Sequence, residues 1–215
     1  MKAPYCSITP EGYPIIFLMT LCTLAFAMLR CPVLTVISLV LVAFSLNFFR
    51  DPDRVIPTAK DIAVAPADGR ICKIERRPDP VTGEMRQCVC IFMNVFNVHV
   101  NRTPVDGKIT AVQYHAGKFF NASLDKASKD NERCAYQLVD EDENTWTFVQ
   151  IAGLIARRIV SYAEEGDTLK RGQRFGMIRF GSRVDLYLPD SYIPAVSLGE
   201  TVLAGQTVIA RARQD

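Results

Sequence analysis

His99 and His115 are the only two imidazoles in the 215 residues, so any histidine acid–base chemistry rests on one of them. Strand alternation over Val95–Asn101 would place Asn97, His99 and Asn101 on one face, with Val98 and Val100 on the other. A histidine between two amides is either a positioned acid/base or an ordinary hydrogen-bonded strand residue. Asp68 lies in Pro66-Ala67-Asp68-Gly69, and an Asp-Gly pair by itself marks a turn. Gly181-Ser182 is the one Gly-Ser pair and sits between two apolar runs, where it too could be only a turn. No G-x-S-x-G elbow surrounds it, which argues against an α/β-hydrolase. The seven cysteines form no CxxC pair, and Cys88 and Cys90 would share a strand face. With two histidines they make no zinc set, so the expectation is no metal and free thiols in a reducing compartment.

These residues would be positioned mostly by strands. Short β-like runs are predicted at Ile62–Ala65, Arg70–Glu75, Gln87–Met93, Val95–Asn101, Lys108–His115, Thr145–Gln150, Arg174–Phe180, Val184–Leu188 and Thr207–Arg213. A helix is suggested at Ile155–Ala163, and polar Asp125–Arg133 reads as a loop or lid. The fold class is therefore mainly β, a barrel or sandwich. The text G-[DE]-T-[LV]-x-x-G-Q occurs twice, at Gly166–Gln173 and Gly199–Gln206, which suggests units related by pseudo-symmetry. This resembles lipoyl/biotinyl-type barrel-sandwich hybrids, although their modified lysine motif is missing, so their function does not follow.

Charge is distributed unevenly. The net charge is +2, but before Asp51 the only charged residues are Lys2, Glu11, Arg30 and Arg50. Residues 51–215 carry equal numbers of basic and acidic side chains, which argues against nucleic-acid binding. Two apolar runs, 14–29 and 32–49, are split by Arg30-Cys31-Pro32. Each falls just short of the roughly 20 residues of a spanning helix. Three readings stay open: a membrane hairpin, one crossing run with the other in the interface, or a buried core hairpin. The composition favours membrane attachment through residues 1–50, with 51–215 as a separate domain. Arg50, Arg54 and Lys60 place that domain on the cytoplasmic face of the cell membrane.

Together, several segments resemble phosphatidylserine decarboxylases of the short bacterial form. They are Phe48-Phe49-Arg50-Asp51-Pro52, PADG at 66–69, FNVHVNRTPVDGKI at 96–109, YHAGKFFNASLDKASKDNER at 114–133, QIAGLIARRIV at 150–160 and RFGMIRFGSRVDLYLP at 174–189. The resemblance implies a proenzyme that cuts itself between Gly181 and Ser182, leaving a β chain of 1–181 and an α chain of 182–215. Ser182 Oγ would attack the Gly181 carbonyl, and elimination from the resulting ester would leave a pyruvoyl group at 182. That covalent cofactor would form a Schiff base with phosphatidylserine and act as electron sink, releasing carbon dioxide and phosphatidylethanolamine. The two chains would stay together as a heterodimer, and a homodimer of these is expected. The resemblance also implies catalytic roles for Asp68, His99 and Ser182. Longer family members carry a second histidine where this chain has Arg102, so Arg102 and His115 are possible accessory groups. Arg50 and Arg54 are candidates for meeting the lipid phosphate. The alternatives are a decarboxylase of a related serine phospholipid such as archaetidylserine, a membrane adaptor on a lipoyl-like barrel, or a membrane-bound serine hydrolase.

Overall fold

The computed structural model describes residues 6–117, 131–153, 158–179 and 182–213. The chain forms two compact units, Met1–Asp53 and Arg54–Asp215.

In the first unit a strand pair, β1 (Cys6–Ile8) and β2 (Arg50–Pro52), ties together the ends of two helices, α1 (Tyr13–Met28) and α2 (Pro32–Phe48). Proline in the first turn of each helix costs no hydrogen bond there. The chain reverses through Arg30 in a left-handed conformation, φ 55°, so the two apolar runs form a helical hairpin. The side chains are apolar around both helices and largely exposed, Phe17, Leu24, Val33 and Val40 among them. Pro10–Met28 is long and apolar enough to cross a membrane, whereas Pro32–Phe48 is shorter. The hydroxyls of Thr20, Thr23 and Ser45 bond back to the carbonyls of Ile16, Met19 and Leu41 at 2.8 Å, which hides their polarity within the helices.

The second unit is mainly β, with a curled half-barrel sheet. Its strands are β3 (Ile62–Val64), β4 (Gly69–Pro78), β5 (Met85–Met93), β6 (Val100–Arg102), β7 (Gly107–His115), β8 (Arg133–Val139), β9 (Thr145–Ala152) and β10 (Ile159–Ser161). They continue with β11 (Thr168–Leu169), β12 (Arg174–Ile178), β13 (Ser182–Leu188), β14 (Tyr192–Pro194), β15 (Thr201–Val202) and β16 (Val208–Ala212). Eight strands run in the order β11-β7-β8-β9-β13-β5-β4-β15, flanked by two three-stranded sheets, β10-β12-β6 and β14-β16-β3. The inner face buries Ile71, Ile91, Leu138, Trp146, Phe148, Phe175, Val184 and Leu186 in one apolar core.

That order reads the same from both edges, because the unit is built from two related halves. The two G-[DE]-T-[LV] segments form the edge strands β11 and β15. Ile71 pairs with Ile91 and Ile109 with Leu138, and each pair is followed by a one-residue bulge. Arg102 N–H donates to the Pro66 carbonyl as Val64 N–H does to Pro104, both at 2.9 Å. The pseudo-twofold axis passes between β9 and β13, where Phe148 faces Leu186. It therefore relates PADG at 66–69 to Pro104-Val105-Asp106-Gly107.

Three expectations are corrected. Ile159–Ser161 is strand, not helix, because its β-branched residues pair with Gly176–Ile178; residues 155–157 of that expectation lie outside the described ones. Val95–Asn101 is not one strand. Asn94 and Asn97 close a turn, with Asn97 Oδ1 accepting from Asn94 N–H at 2.9 Å, and the strand begins at Val100. Most of the Asp125–Arg133 segment lies outside the described residues, but Arg133 itself opens β8, a strand not foreseen.

Candidate active site

Ser182 is the first residue of β13, held between Met93 of β5 and Ala152 of β9. Alternation turns Ser182, Val184, Leu186 and Leu188 to the inner face and Arg183, Asp185 and Tyr187 to the outer one. Ser182 is fully buried, and its Oγ has no hydrogen-bond partner among the described residues. A buried hydroxyl without a partner costs stability, so it calls for an explanation beyond folding. Gly181, the other half of the expected cleavage site, lies outside the described residues.

His99 precedes β6 and is fully buried. Its Nδ1 lies 2.9 Å from the Asn97 carbonyl oxygen, which can only accept. The proton of the neutral ring therefore sits on Nδ1, and Nε2 carries the basic lone pair. The His99 carbonyl accepts from Ile178 N–H at 3.4 Å, at the end of β12 from which the chain leads to Ser182.

Asp68 is equally enclosed. Its Oδ1 accepts the Ala204 N–H at 2.7 Å, and Arg54 grips both oxygens at 3.0 and 2.8 Å. Arg54 also donates to Gln206 at 3.0 Å. The two bonds from Arg54 make a bidentate, charge-assisted pair with the Asp68 carboxyl group. Gly69 follows because a Cβ there would lie 2.2 Å from the Phe92 carbonyl oxygen. Phe92 adjoins Met93, the partner of Ser182, so PADG, β6 and the start of β13 meet at one end of the sheet.

Arg54 is the residue that sequence reasoning misassigned. It was a candidate for lipid phosphate, but its side chain is 7% exposed and closed on Asp68. No spacing rule signals that pair, because only the fold brings residues 54 and 68 together. Arg50 donates to Asn47 Oδ1 at 2.7 Å within the first unit. Arg102 is buried and donates to the Gly172 carbonyl at 3.0 Å. His115 ends β7, three strands from β13, which at strand spacing is roughly 14 Å away.

Beneath β13 lies a second polar cluster. Arg183 holds Asp185 with two bonds, Nε to Oδ1 at 2.7 Å and a terminal nitrogen to Oδ2 at 2.9 Å, and Arg77 adds a third at 2.7 Å. Burial alone would lower both arginine pKa values, but Asp185 raises them on balance. Cys88 and Cys90 share a face as expected, with sulfurs 3.8 Å apart. Their sulfurs and an Asp185 oxygen lie within 4.8 Å of one another, the spacing of a metal site. The chemistry does not match one: guanidinium groups occupy both Asp185 oxygens, and burial keeps the Cys88 thiol protonated.

Comparison with known proteins agrees with this geometry. Residues 41–210 match the family model described as phosphatidylserine decarboxylase. The chain belongs to the phosphatidylserine decarboxylase family. It is 63% identical over 208 residues to the phosphatidylserine decarboxylase proenzyme of Oleidesulfovibrio alaskensis, covering 97% of this chain and 95% of that one. The proenzyme of Nitratidesulfovibrio vulgaris is 64% identical over 211 residues, covering 98% and 97%. That of Solidesulfovibrio magneticus is 59% identical, covering 98% and 99%. As a member of that family the chain is an enzyme, a decarboxylase, and its relatives are named as precursors.

Proposed function

We propose that this chain decarboxylates phosphatidylserine to phosphatidylethanolamine and carbon dioxide, using a pyruvoyl group that it makes from its own Ser182. The observation that carries the reading is the Ser182 hydroxyl, fully buried and without a hydrogen-bond partner among the described residues. The site fits the pyruvoyl group, because such a small, uncharged group is compatible with the apolar walls of Met93 and Ala152. Once formed, its ketone supplies an electrophile for the substrate amine and a sink for the electrons of the Cα–carboxylate bond.

This chain's own residues act before and around that chemistry. Ser182 Oγ is the nucleophile toward residue 181, and the His99 Nε2 lone pair takes its proton. Asp68 is a fixed negative charge near the imidazolium that results. In each later turnover the same imidazole, having taken a proton from the substrate ammonium, is the acid that delivers one to the substrate carbon after carbon dioxide leaves. Cleavage need not release the 182–215 chain: β13 is paired with β5 along its whole length and with β9 from Ser182 to Tyr187. The two chains remain a heterodimer, and copies of it pair.

Residues 1–50 anchor the enzyme in the cell membrane, with 51–215 as its catalytic domain on the cytoplasmic face. The apolar hairpin and the basic residues that follow it, Arg50 and Lys60, support this reading. A diacyl substrate never leaves the bilayer, so an anchored enzyme stays within reach of it.

The test is to incubate the purified full-length protein with vesicles of phosphatidylserine and, separately, of archaetidylserine, and to quantify the amine lipid and carbon dioxide formed. Phosphatidylethanolamine should appear from the first and be lost in Ser182→Ala. Turnover of archaetidylserine alone would reassign the substrate, and turnover of neither would refute the reading.

A further inference from the structure

One polar chain runs through the otherwise apolar inner face. Tyr136 O–H donates to Gln150 Oε1 at 2.9 Å, and Gln150 Nε2 donates to Asn101 Oδ1 at 2.8 Å. Asn101 Nδ2 lies 3.7 Å from the Met93 sulfur. Tyr136, Gln150 and Asn101 are all fully buried. Burial pushes the Tyr136 phenol up, so it remains a donor across the working pH range. With the bonds running from Tyr136 to Gln150 and from Gln150 to Asn101, the amide nitrogen of Asn101 is the donor end. A thioether is a weak acceptor for it. Met93 is the strand partner of Ser182, and both belong to the inner face. A strong donor is therefore parked on a poor acceptor, whose strand partner carries a hydroxyl with no partner among the described residues.

The fold itself does not require these groups. The pseudo-twofold axis relates Tyr136 to Val89, Gln150 to Leu188 and Asn101 to Ala63, all of them apolar core residues. The register makes the last equivalence explicit, because Asn101 pairs with Gly176 as Ala63 pairs with Ala210. The trio also constrains its surroundings: a Cβ on Gly176 would come within 2.8 Å of Gln150 Nε2. One half of the unit thus carries a buried hydrogen-bonded relay where the other half carries hydrocarbon, and the relay ends at Met93, the strand partner of Ser182.

We propose that Asn101 Nδ2–H is the hydrogen-bond donor to the oxyanion formed during self-cleavage, with Gln150 and Tyr136 as positioning residues that hold its amide. The inference rests on Ser182 being the cleavage nucleophile. Ser182 Oγ bonds to the carbonyl carbon of residue 181, its proton passes to the base, and the C=O electron pair moves onto the oxygen. Collapse restores the carbonyl and breaks the C–N bond, the nitrogen taking the proton, which leaves an ester. Negative charge appears on one oxygen within an apolar layer, where a preorganised donor is worth most. The aligned Tyr136 and Gln150 bonds polarise the Asn101 amide further.

The test follows conversion of the full-length precursor, synthesised in vitro with liposomes, to its two fragments over time and pH. Asn101→Asp should cleave about 100-fold more slowly at pH 8, the usual scale for losing such a donor. A buried carboxyl has a raised pKa, and its protonated form donates again. The ratio of the Asn101→Asp rate to the wild-type rate should therefore rise as pH falls toward 5. Tyr136→Phe, which adds no charge and keeps the ring, should slow cleavage a few-fold with an unchanged pH profile. A wild-type rate in Asn101→Asp, or a pH-independent defect that tracks a lowered melting temperature, would overturn the donor role. If Asn101→Asp does not fold, Tyr136→Phe decides, and an unaltered rate there overturns the relay. Ser182→Ala is run alongside: cleavage between 181 and 182 that persists in it would refute the nucleophile assignment itself, whatever Asn101 does.

Discussion

Asp68 and Asp106 occupy equivalent turns in the two halves of the catalytic unit, yet only one belongs to a candidate active site. Both accept a backbone N–H from the repeated loop, Asp68 from Ala204 at 2.7 Å and Asp106 from Arg171 at 3.0 Å. That bond is the shared structural inheritance, an aspartate closing a turn. The surroundings then diverge. Asp68 is clamped by buried Arg54 and lies at the end of the sheet where β13 begins at Ser182. By register, Asp61 stands where the first site has His99, and Asn144 where it has Ser182. Asp61 and Asp106 line a cavity of about 520 Å³ with Asp140 and Asp142. β9 is reached there by a tight turn from Asp140 to Asn144, whereas β13 arrives from a distant part of the chain. The lesson is that the fold supplies the turns twice, and side chains added to one half supply the chemistry.

The largest effect should come from breaking that asymmetry directly. Asp68→Asn should slow self-cleavage by about 100-fold or more, since it removes the fixed charge that favours the imidazolium. Asp106→Asn should leave cleavage within a few-fold and cost about 1 kcal/mol, the scale of one hydrogen bond. Fragment formation and thermal unfolding, measured on both variants, check this. Equal cleavage defects in the two would erase the distinction between the turns.

A second contrast separates the two faces of β13. Asp185→Asn leaves Arg183 and Arg77 without their shared carboxylate, so the precursor should lose about 3 kcal/mol of stability, as broken buried pairs do. Cleavage should persist, because this cluster faces away from Ser182. Denaturant titration and a cleavage time course read both quantities. A folded Asp185→Asn protein that fails to cut would show that the outer cluster belongs to the reaction.

The smallest effect concerns three cysteines of the catalytic unit, Cys72, Cys88 and Cys134. Burial pushes Cys72 up to about 11 and also raises Cys88 and Cys134. At pH 8, below those values, they stay protonated and poorly nucleophilic. Iodoacetamide should leave all three unlabelled in the native protein and label them on unfolding. Rapid native labelling of Cys88 would mean that the outer face opens.

Much of this was legible in the sequence. Short alternating runs bounded by Gly, Pro and Asp marked most of the strands, and Arg30-Cys31-Pro32 marked the hairpin turn. The scarcity of histidine and the PADG and Gly-Ser texts pointed to His99, Asp68 and Ser182, each of which is buried. Other features depend on contacts between distant residues. The Arg54–Asp68 pair has no local signature, and neither does the relay from Tyr136 through Gln150 to Asn101. Asn94 and Asn97 deceived because side-chain caps bent a run whose alternation read as strand. Ile159–Ser161 deceived because tertiary pairing overrode a helix-like composition.

The most direct measurement of the central claim is the intact mass of the purified protein. The account predicts two polypeptides, residues 1–181 and 182–215, the smaller one with a pyruvoyl group in place of its amino-terminal serine. A single uncut chain of 24.0 kDa in an active preparation would contradict it.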